Sequence, residues 1–235
     1  MNIEEIEANA LNLLNARFSS KPISSLKKSL DLNEAQEILK KGIDLRLSRG
    51  EDITGVVLQN ENYFSFLTNQ MNLIPGSNFS LKDCISPKVT AHFVYYVDSA
   101  LKGNATLEQI INAISSIGLA LLITDSRFEK GGEVSFPEKI ADNFFSTYYF
   151  LGKKRLDFKE MKDRCVRVAL CLNHIKKFEV EVSDLISALS KEKSLNIGPS
   201  TIVLTPNLFE AFPLSLNMDI SLVADYFGAT SFKVI

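Results

Sequence analysis

In Ser86-Pro87-Lys88-Val89-Thr90-Ala91-His92-Phe93-Val94-Tyr95-Tyr96-Val97, residues 88–97 read as a strand, rich in β-branched and aromatic side chains. Alternation puts Val89, Ala91, Phe93, Tyr95 and Val97 on one face. Lys88, Thr90, His92, Val94 and Tyr96 share the other, so Thr90 and His92 point to the same side.

Downstream, Gly103-Asn104 marks a turn, and Thr106 with Gln109 forms a capping box. It opens a helix through Ile110, Ile111, Ala113 and Ile114, which Gly118 ends. Leu119 to Thr124 is an apolar strand that delivers Asp125-Ser126-Arg127, and Ala141-Asp142-Asn143 and Leu151-Gly152 follow. Upstream, Ile3, Ile6, Ala10, Leu14 and Phe18 recur at helical spacing. Asn33 with Gln36 reads as the capping box of a second helix, with Leu32 as its staple and Ala35, Ile38, Leu39, Gly42 and Ile43 as its apolar face. Ile53 to Leu58 is a short strand, and Asn60 to Asn72 a short helix or loop. Val166 to Val182 reads as strands turning near Asn173, Leu185 to Leu189 as a helix, and Ile202 to Leu204 and Thr230 to Ile235 as closing strands.

The order and spacing of these segments resemble the 2-keto-4-pentenoate hydratase and 4-oxalocrotonate decarboxylase family, most strongly from 87 to 152. In that family the first segment reads Pro-x-Val-Glu-x-Glu and the second Glu-Ile-x-Asp-Ser-Arg, and the three Glu hold a divalent cation. The matching positions here are Thr90, His92 and Leu122. A family Lys on the strand after the helices falls at Gly55 or a hydrophobic neighbour, and no Lys occurs between Lys41 and Lys82. The resemblance implies a fumarylacetoacetate hydrolase-like fold: α/β (α+β), a curled mixed sheet or barrel core over 53–235 with an N-terminal helical region over 1–52. It also implies an oligomer built from dimers. A hydroxyl, an imidazole and an isobutyl group are a poor octahedral oxygen set. No metal and no other cofactor are therefore expected, and chelation of a 2-oxo acid should not carry over unchanged.

The chain has 235 residues, 46% of them hydrophobic, enough for a substantial core, and a net charge of -2, which gives no push toward nucleic acid. No apolar run has the roughly 18 residues that span a bilayer. The acidic start Met1-Asn2-Ile3-Glu4-Glu5 does not read as a secretory leader. Three cysteines, Cys84, Cys165 and Cys171, with no Cys-x-x-Cys pair, fit a reduced, cytoplasmic protein in which Cys165 and Cys171 are buried small hydrophobes.

His92 is the sharpest candidate: a general acid or base facing the family's pocket, or a buried His satisfied by its neighbours. Asp125 and Arg127 match the family's Asp-Ser-Arg, as catalytic support or as a structural ion pair. Thr90, Leu122, Asp142, Asn143, Phe145 and Ser146 are the expected substrate-pocket residues, with Phe145 standing where the family often has Ser. Glu129 and Glu133 flank Gly131-Gly132, a candidate lid whose carboxylates are either replacements for the lost ones or solvated charges. The basic stretch 153–177 is a solvated face or a dock for an acidic partner. Of two function classes, the first is the favoured reading and the second its alternative. The first is a metal-independent enzyme acting on a small unsaturated carbonyl compound by proton transfer, addition, elimination or cyclisation. The second is an inactive structural or regulatory partner of an active enzyme. An open or a filled pocket separates them.

Overall fold

The computed structural model describes residues 1–26, 29–60, 63–129, 133–190 and 196–235. Two helices come first, α1 (Ile3–Ser19) and α2 (Leu32–Leu47). They are followed by β1 (Ile53–Asn60), β2 (Tyr63–Thr68), β3 (Asn72–Leu73), β4 (Asn78–Phe79), β5 (Pro87–Val97), α3 (Leu107–Ala113), β6 (Ile114–Asp125), α4 (Phe136–Ala141) and β7 (Ser146–Leu151). The remainder holds β8 (Leu156–Asp157), α5 (Phe158–Met161), β9 (Val166–Leu172), β10 (Ile175–Val182), α6 (Ser187–Ser190), β11 (Thr201–Leu204), β12 (Phe212–Pro213), β13 (Asp219–Ala224) and β14 (Gly228–Val234). Among the described residues, no helix is long and apolar enough to cross a membrane.

The larger sheet runs β2-β1-β11-β5-β6-β7-β3, with β12 added to β5 and β8 to β6. It is mixed: β1 lies parallel to β11, and β5 is antiparallel to both β11 and β6. It also curls. β1, β11, β5 and β6 separate β2 from β7 in the sheet, yet Ser65 Oγ of β2 and Ser146 Oγ of β7 lie 2.8 Å apart. Thr54 Oγ1 of β1 likewise reaches Tyr149 Oη of β7 at 3.0 Å. A second, smaller sheet, β10-β9-β13-β14-β4, packs on the outside of the curl.

The two faces of β5 behave as alternation requires. Val89, Ala91, Phe93, Tyr95 and Val97 pack between the sheets with Leu119, Leu121, Leu170, Leu222 and Phe232. Phe150 and Phe232 stack there in parallel, with centroids 4.6 Å apart. Val94 and Tyr96 fill the inside of the curl with Val57, Leu67, Met71, Leu122 and Tyr149. Helices α1 and α2 pack with α4 in a third cluster through Ala10, Leu13, Ala35, Ile38 and Ile140.

Several local expectations are corrected. The second helix starts two residues early: Asp31 is its cap and Glu34 closes the box, because a carboxylate suits the positive end of the helix. Gly118 lies within β6, since the strand begins at Ile114 and pairing with β5 overrides the glycine signal. The segment read as a short helix or loop holds β2, paired with β1, and then a short 3-10 helix over Asn69–Met71. The helix expected over Leu185 to Leu189 is the short α6, displaced toward its end. Cys165 is exposed and Cys171 only partly buried, so neither is a core residue.

Gly55 marks a close approach. A Cβ there would meet the carbonyl oxygen and Cγ1 of Ile202, the residue it pairs with in β11, at 2.4 Å each. The carbonyl belongs to the sheet and cannot retreat. Gly55→Ala is therefore expected to destabilise the fold by about 1–3 kcal/mol, the range for overpacking. Urea midpoints read this, and an unchanged midpoint would refute the close approach.

Candidate functional site

Thr90 and Leu122 are cross-strand partners on β5 and β6, and His92 is two residues along β5 on the same side. The three positions converge inside the curl. Thr90 Oγ1 lies 2.8 Å from His92 Nε2 and 3.3 Å from the Leu122 carbonyl oxygen. His92 Nδ1 lies 2.7 Å from the carbonyl oxygen of Thr205, just beyond β11. A carbonyl only accepts, so Nδ1 carries the proton and Nε2 accepts from the Thr90 hydroxyl. Thr205 is itself fixed, its Oγ1 accepting from the Phe93 N–H at 3.1 Å.

His92 is completely buried. Burial pulls its pKa down to about 4, against a weaker opposite pull from the Thr205 carbonyl. Near neutral pH it is an uncharged ring with both nitrogens engaged. It shares its side of β5 with Val94 and Tyr96, as alternation predicts, and has no exposed surface. Leu122, across from Thr90, packs with Met71, Leu67, Val57, Tyr149 and Leu204 in one buried cluster. Of the two alternatives, an open or a filled pocket, the burial of Thr90, His92 and Leu122 favours the filled one, through packing from strands distant in sequence. The filling residues are mainly aliphatic, with Tyr149; Phe145 lies outside the curl, edge-on to Phe128 beside the helices.

A divalent cation does not fit this donor set. Thr90 offers one neutral oxygen, His92 has no free lone pair, and Leu122 has no side-chain donor. Among the described residues no three His, Cys, Asp or Glu side chains converge to hold a metal ion. The Lys that the resemblance places near Gly55 has no room there, given the approach of Ile202.

The remaining candidates brace the rim. Asp125, at the end of β6, accepts from the N–H groups of Ile85 and Ser86, the latter at 2.5 Å, and so fixes the start of β5. Arg127 is buried: its Nη1 stands 3.3 Å from Asp142 Oδ1 and its Nη2 donates to Thr147 Oγ1 at 2.8 Å. Burial raises the Asp142 carboxyl to about 7, with Arg127 and Arg17 opposing. Asn143 bonds the Phe66 backbone in both directions, accepting at 2.8 Å and donating at 2.9 Å. Asn143, Phe144 and Phe145 are all left-handed, with φ of 52°, 49° and 65°, a strained turn that the Asn143 bonds hold in place. Ser146 is spent on Ser65.

Sequence reasoning missed Thr205, Arg17, Arg46 and Glu51. The arginines carried a signal, since each falls on the buried side of its helix, three residues beyond Leu14 and Ile43. Glu129 and Glu133 border an open cleft of about 530 Å³ with Lys88, Thr124, Ser126 and Lys139. Gly131-Gly132, the centre of the candidate lid, lies outside the described residues. In the basic stretch Lys162, Arg167 and Lys176 pair with Asp163, Asp225 and Glu179. Arg155 lies over the Tyr96 ring, 3.7 Å from its centroid.

The His92 geometry has a measurable pH signature. The unfolded imidazole takes a proton near pH 6.5 and the folded one only near 4, so between them the unfolded chain binds more protons. The stability tied to neutral His92 is complete above 6.5 and lost as pH falls to 4. The stability gap between wild type and His92→Gln should therefore shrink across that window, by on the order of 3 kcal/mol. A gap that stays constant from pH 7 to pH 4 in chemical denaturation would show that His92 titrates normally.

No family model matches the chain. It is 26% identical over 136 residues to a 4-oxalocrotonate decarboxylase from Pseudomonas sp, and the match covers 53% of each protein, so it spans about half the length of that curated relative. The fold agrees over 100% of this chain and 99% of the other with 4-oxalocrotonate decarboxylase from Pseudomonas putida G7, complexed with magnesium and adipate, at a TM-score of 0.91 and 19% identity. Fumarylpyruvate hydrolase from Pseudomonas aeruginosa, in complex with Mn²⁺ and pyruvate, gives a TM-score of 0.58 at 12% identity, covering 74% of this chain and 78% of that one. The chain thus has the fumarylacetoacetate hydrolase-like fold in the form seen in 4-oxalocrotonate decarboxylase, and its sequence is similar to a curated decarboxylase over about half its length.

Proposed function

We propose that this chain is a catalytically silent relative of 4-oxalocrotonate decarboxylase, serving as a structural or regulatory partner of an active enzyme of the same fold. The observation that carries the reading is the closed triad of Thr90, His92 and Leu122. It has no metal donor set, its imidazole is neutral, buried and bonded at both nitrogens, and Leu122 belongs to a buried apolar cluster. Loss of charge stabilisation at a developing enolate commonly costs several kcal/mol, or orders of magnitude in rate. The frame is meanwhile kept over the whole length of the chain. A frame without the chemistry suits a partner, and the dimer-based assembly implied by the resemblance supplies the kind of interface such a partner would use.

One observation favours a second reading, a metal-independent enzyme whose chemistry has moved. Lys88 and Thr124 are the cross-strand pair next to Thr90 and Leu122 on the same face, and they open into the cleft with Glu129 and Glu133. Its volume of about 530 Å³ lies within the ordinary range for ligand pockets. A carboxylate and an ammonium there could move a proton on an unsaturated carbonyl compound without passing through His92.

Both readings face one assay. The purified chain, with and without Mg²⁺ or Mn²⁺, is incubated with an ultraviolet-absorbing unsaturated 2-oxo dicarboxylate. The silent partner gives no turnover above the buffer blank. Metal-stimulated turnover would overturn it. Metal-independent turnover that falls by about 10²-fold in Lys88→Met or Glu133→Gln would establish the second reading. If the chain is a partner, it should co-elute in size-exclusion chromatography with an active homologue from the same cell. Separate elution at micromolar concentration would count against that role.

A further inference from the structure

A small cavity of about 50 Å³ lies between α1, α2 and the turn that enters β7, outside the curl of the sheet. Three guanidinium groups reach it, Arg17 from α1, Arg46 from α2 and Arg127 from the segment after β6. Arg46 and Arg127 are buried, and Arg17 is partly buried. Two carboxylates answer them. Glu51 Oε2 accepts from Arg46 Nε at 3.0 Å and Nη2 at 2.5 Å. Asp142 Oδ1 stands 3.3 Å from Arg127 Nη1. Arg17 has no carboxylate partner among the described residues. It donates to the carbonyl oxygens of Thr147 at 2.9 Å and Ser146 at 3.4 Å and lies over the Tyr148 ring. Three cations less two anions leave one positive charge. In addition, Arg127 Nη1 makes no hydrogen bond, although Arg127 is 3% exposed.

Buried charge is tolerated when it is paired and hydrogen-bonded, and an unpaired one is strongly destabilising. Arginine cannot escape by losing its proton near neutral pH. Burial, then Arg46 and then Arg127, draw Arg17 down to about 9, which still leaves it charged. Among the described residues Arg17 is therefore met by carbonyl oxygens and an aromatic ring but by no carboxylate, which leaves the cavity suited to an anion. We propose that this cavity binds a small monocarboxylate of about the size of acetate, held by Arg17 and the free Nη1 of Arg127. This goes beyond the silent-partner reading and does not depend on it.

Size, lining and access agree. One water needs roughly 10–15 Å³ of such space, so the cavity holds a few waters or one small anion. Guanidinium donors match the planar carboxylate fork. Leu13, Leu14 and Ile38 line the remainder and suit a methyl group better than a second charge. Gly42 borders the cavity from the middle of α2, with ordinary helical backbone, and a Cβ added there would meet nothing within 4 Å. A helix-interior glycine costs up to about 1 kcal/mol relative to alanine, so the space it leaves is not free.

Thermal unfolding of the full chain at fixed ionic strength tests the assignment, with sodium acetate exchanged for sodium chloride, sodium nitrate or sodium phosphate. A saturable rise in Tm is expected with acetate and not with the other three, and isothermal titration with acetate should give one site. Arg17→Met removes the charge and keeps the stem, so the acetate response should vanish. Should that variant fail to fold, Gly42→Leu fills the cavity with all three arginines in place and should abolish the response equally. A wild type with no saturable acetate response overturns the proposal. So does a response that survives in Arg17→Met or Gly42→Leu. Equal responses to all four salts would overturn the carboxylate assignment.

Discussion

The pairing of β5 with β6 buries both of its faces, and that constraint governs the rest of the molecule. One face packs against the smaller sheet and the other closes the inside of the curl. A strand pair without a wet side has nowhere to send an unsatisfied polar group. The polar side chains it carries inward must satisfy one another, and Thr90, His92 and Thr205 do so in a single chain of contacts. Carboxylates at these positions would need a cation to neutralise them, whereas Thr90, His92 and Leu122 need none.

The curl is closed by neutral polar contacts. Gln59 donates to Ser65, Ser65 meets Ser146, and Asn143 clips the turn before β7 to the backbone of β2. The last two fix one strand end against another that lies far away in the sheet. Together they hold the first and later strands near enough for Leu67, Met71 and Tyr149 to meet Leu122 in the interior. Filling and closure are thus one event, because the strands that seal the rim bring the side chains that occupy the space.

The helical layer is attached differently. Its aliphatic contacts with α4 are supplemented by buried charge, with Arg46 on Glu51 and Thr68, and Arg127 on Asp142 and Thr147. Such pairs add little net stability over apolar packing, but breaking one leaves its partner exposed to the full cost of burial. They specify where the helices sit. The same arrangement leaves Arg17 without a carboxylate among the described residues, its guanidinium resting on the carbonyl oxygens of Ser146 and Thr147.

Alternation along 87–97 was enough to place Thr90 and His92 on one side and Phe93 and Tyr95 on the other, because side-chain direction in a strand is a local property. The fold class came through the family resemblance that the order and spacing of the segments carry. Local reading failed where pairing competed with it: β6 runs through Gly118, and β2 replaced an expected helix or loop. Whether His92 faces a pocket or a core was not legible. That is decided by burial, where Met71, Leu67, Tyr149 and Leu204 join Leu122 only through the curl of the sheet. Nor was the meeting of Arg17, Arg46 and Arg127, since the three lie on separate elements. The sequence alone determined which way each side chain points, and the tertiary structure alone decided what it meets there, because burial and charge depend on neighbours far away along the chain.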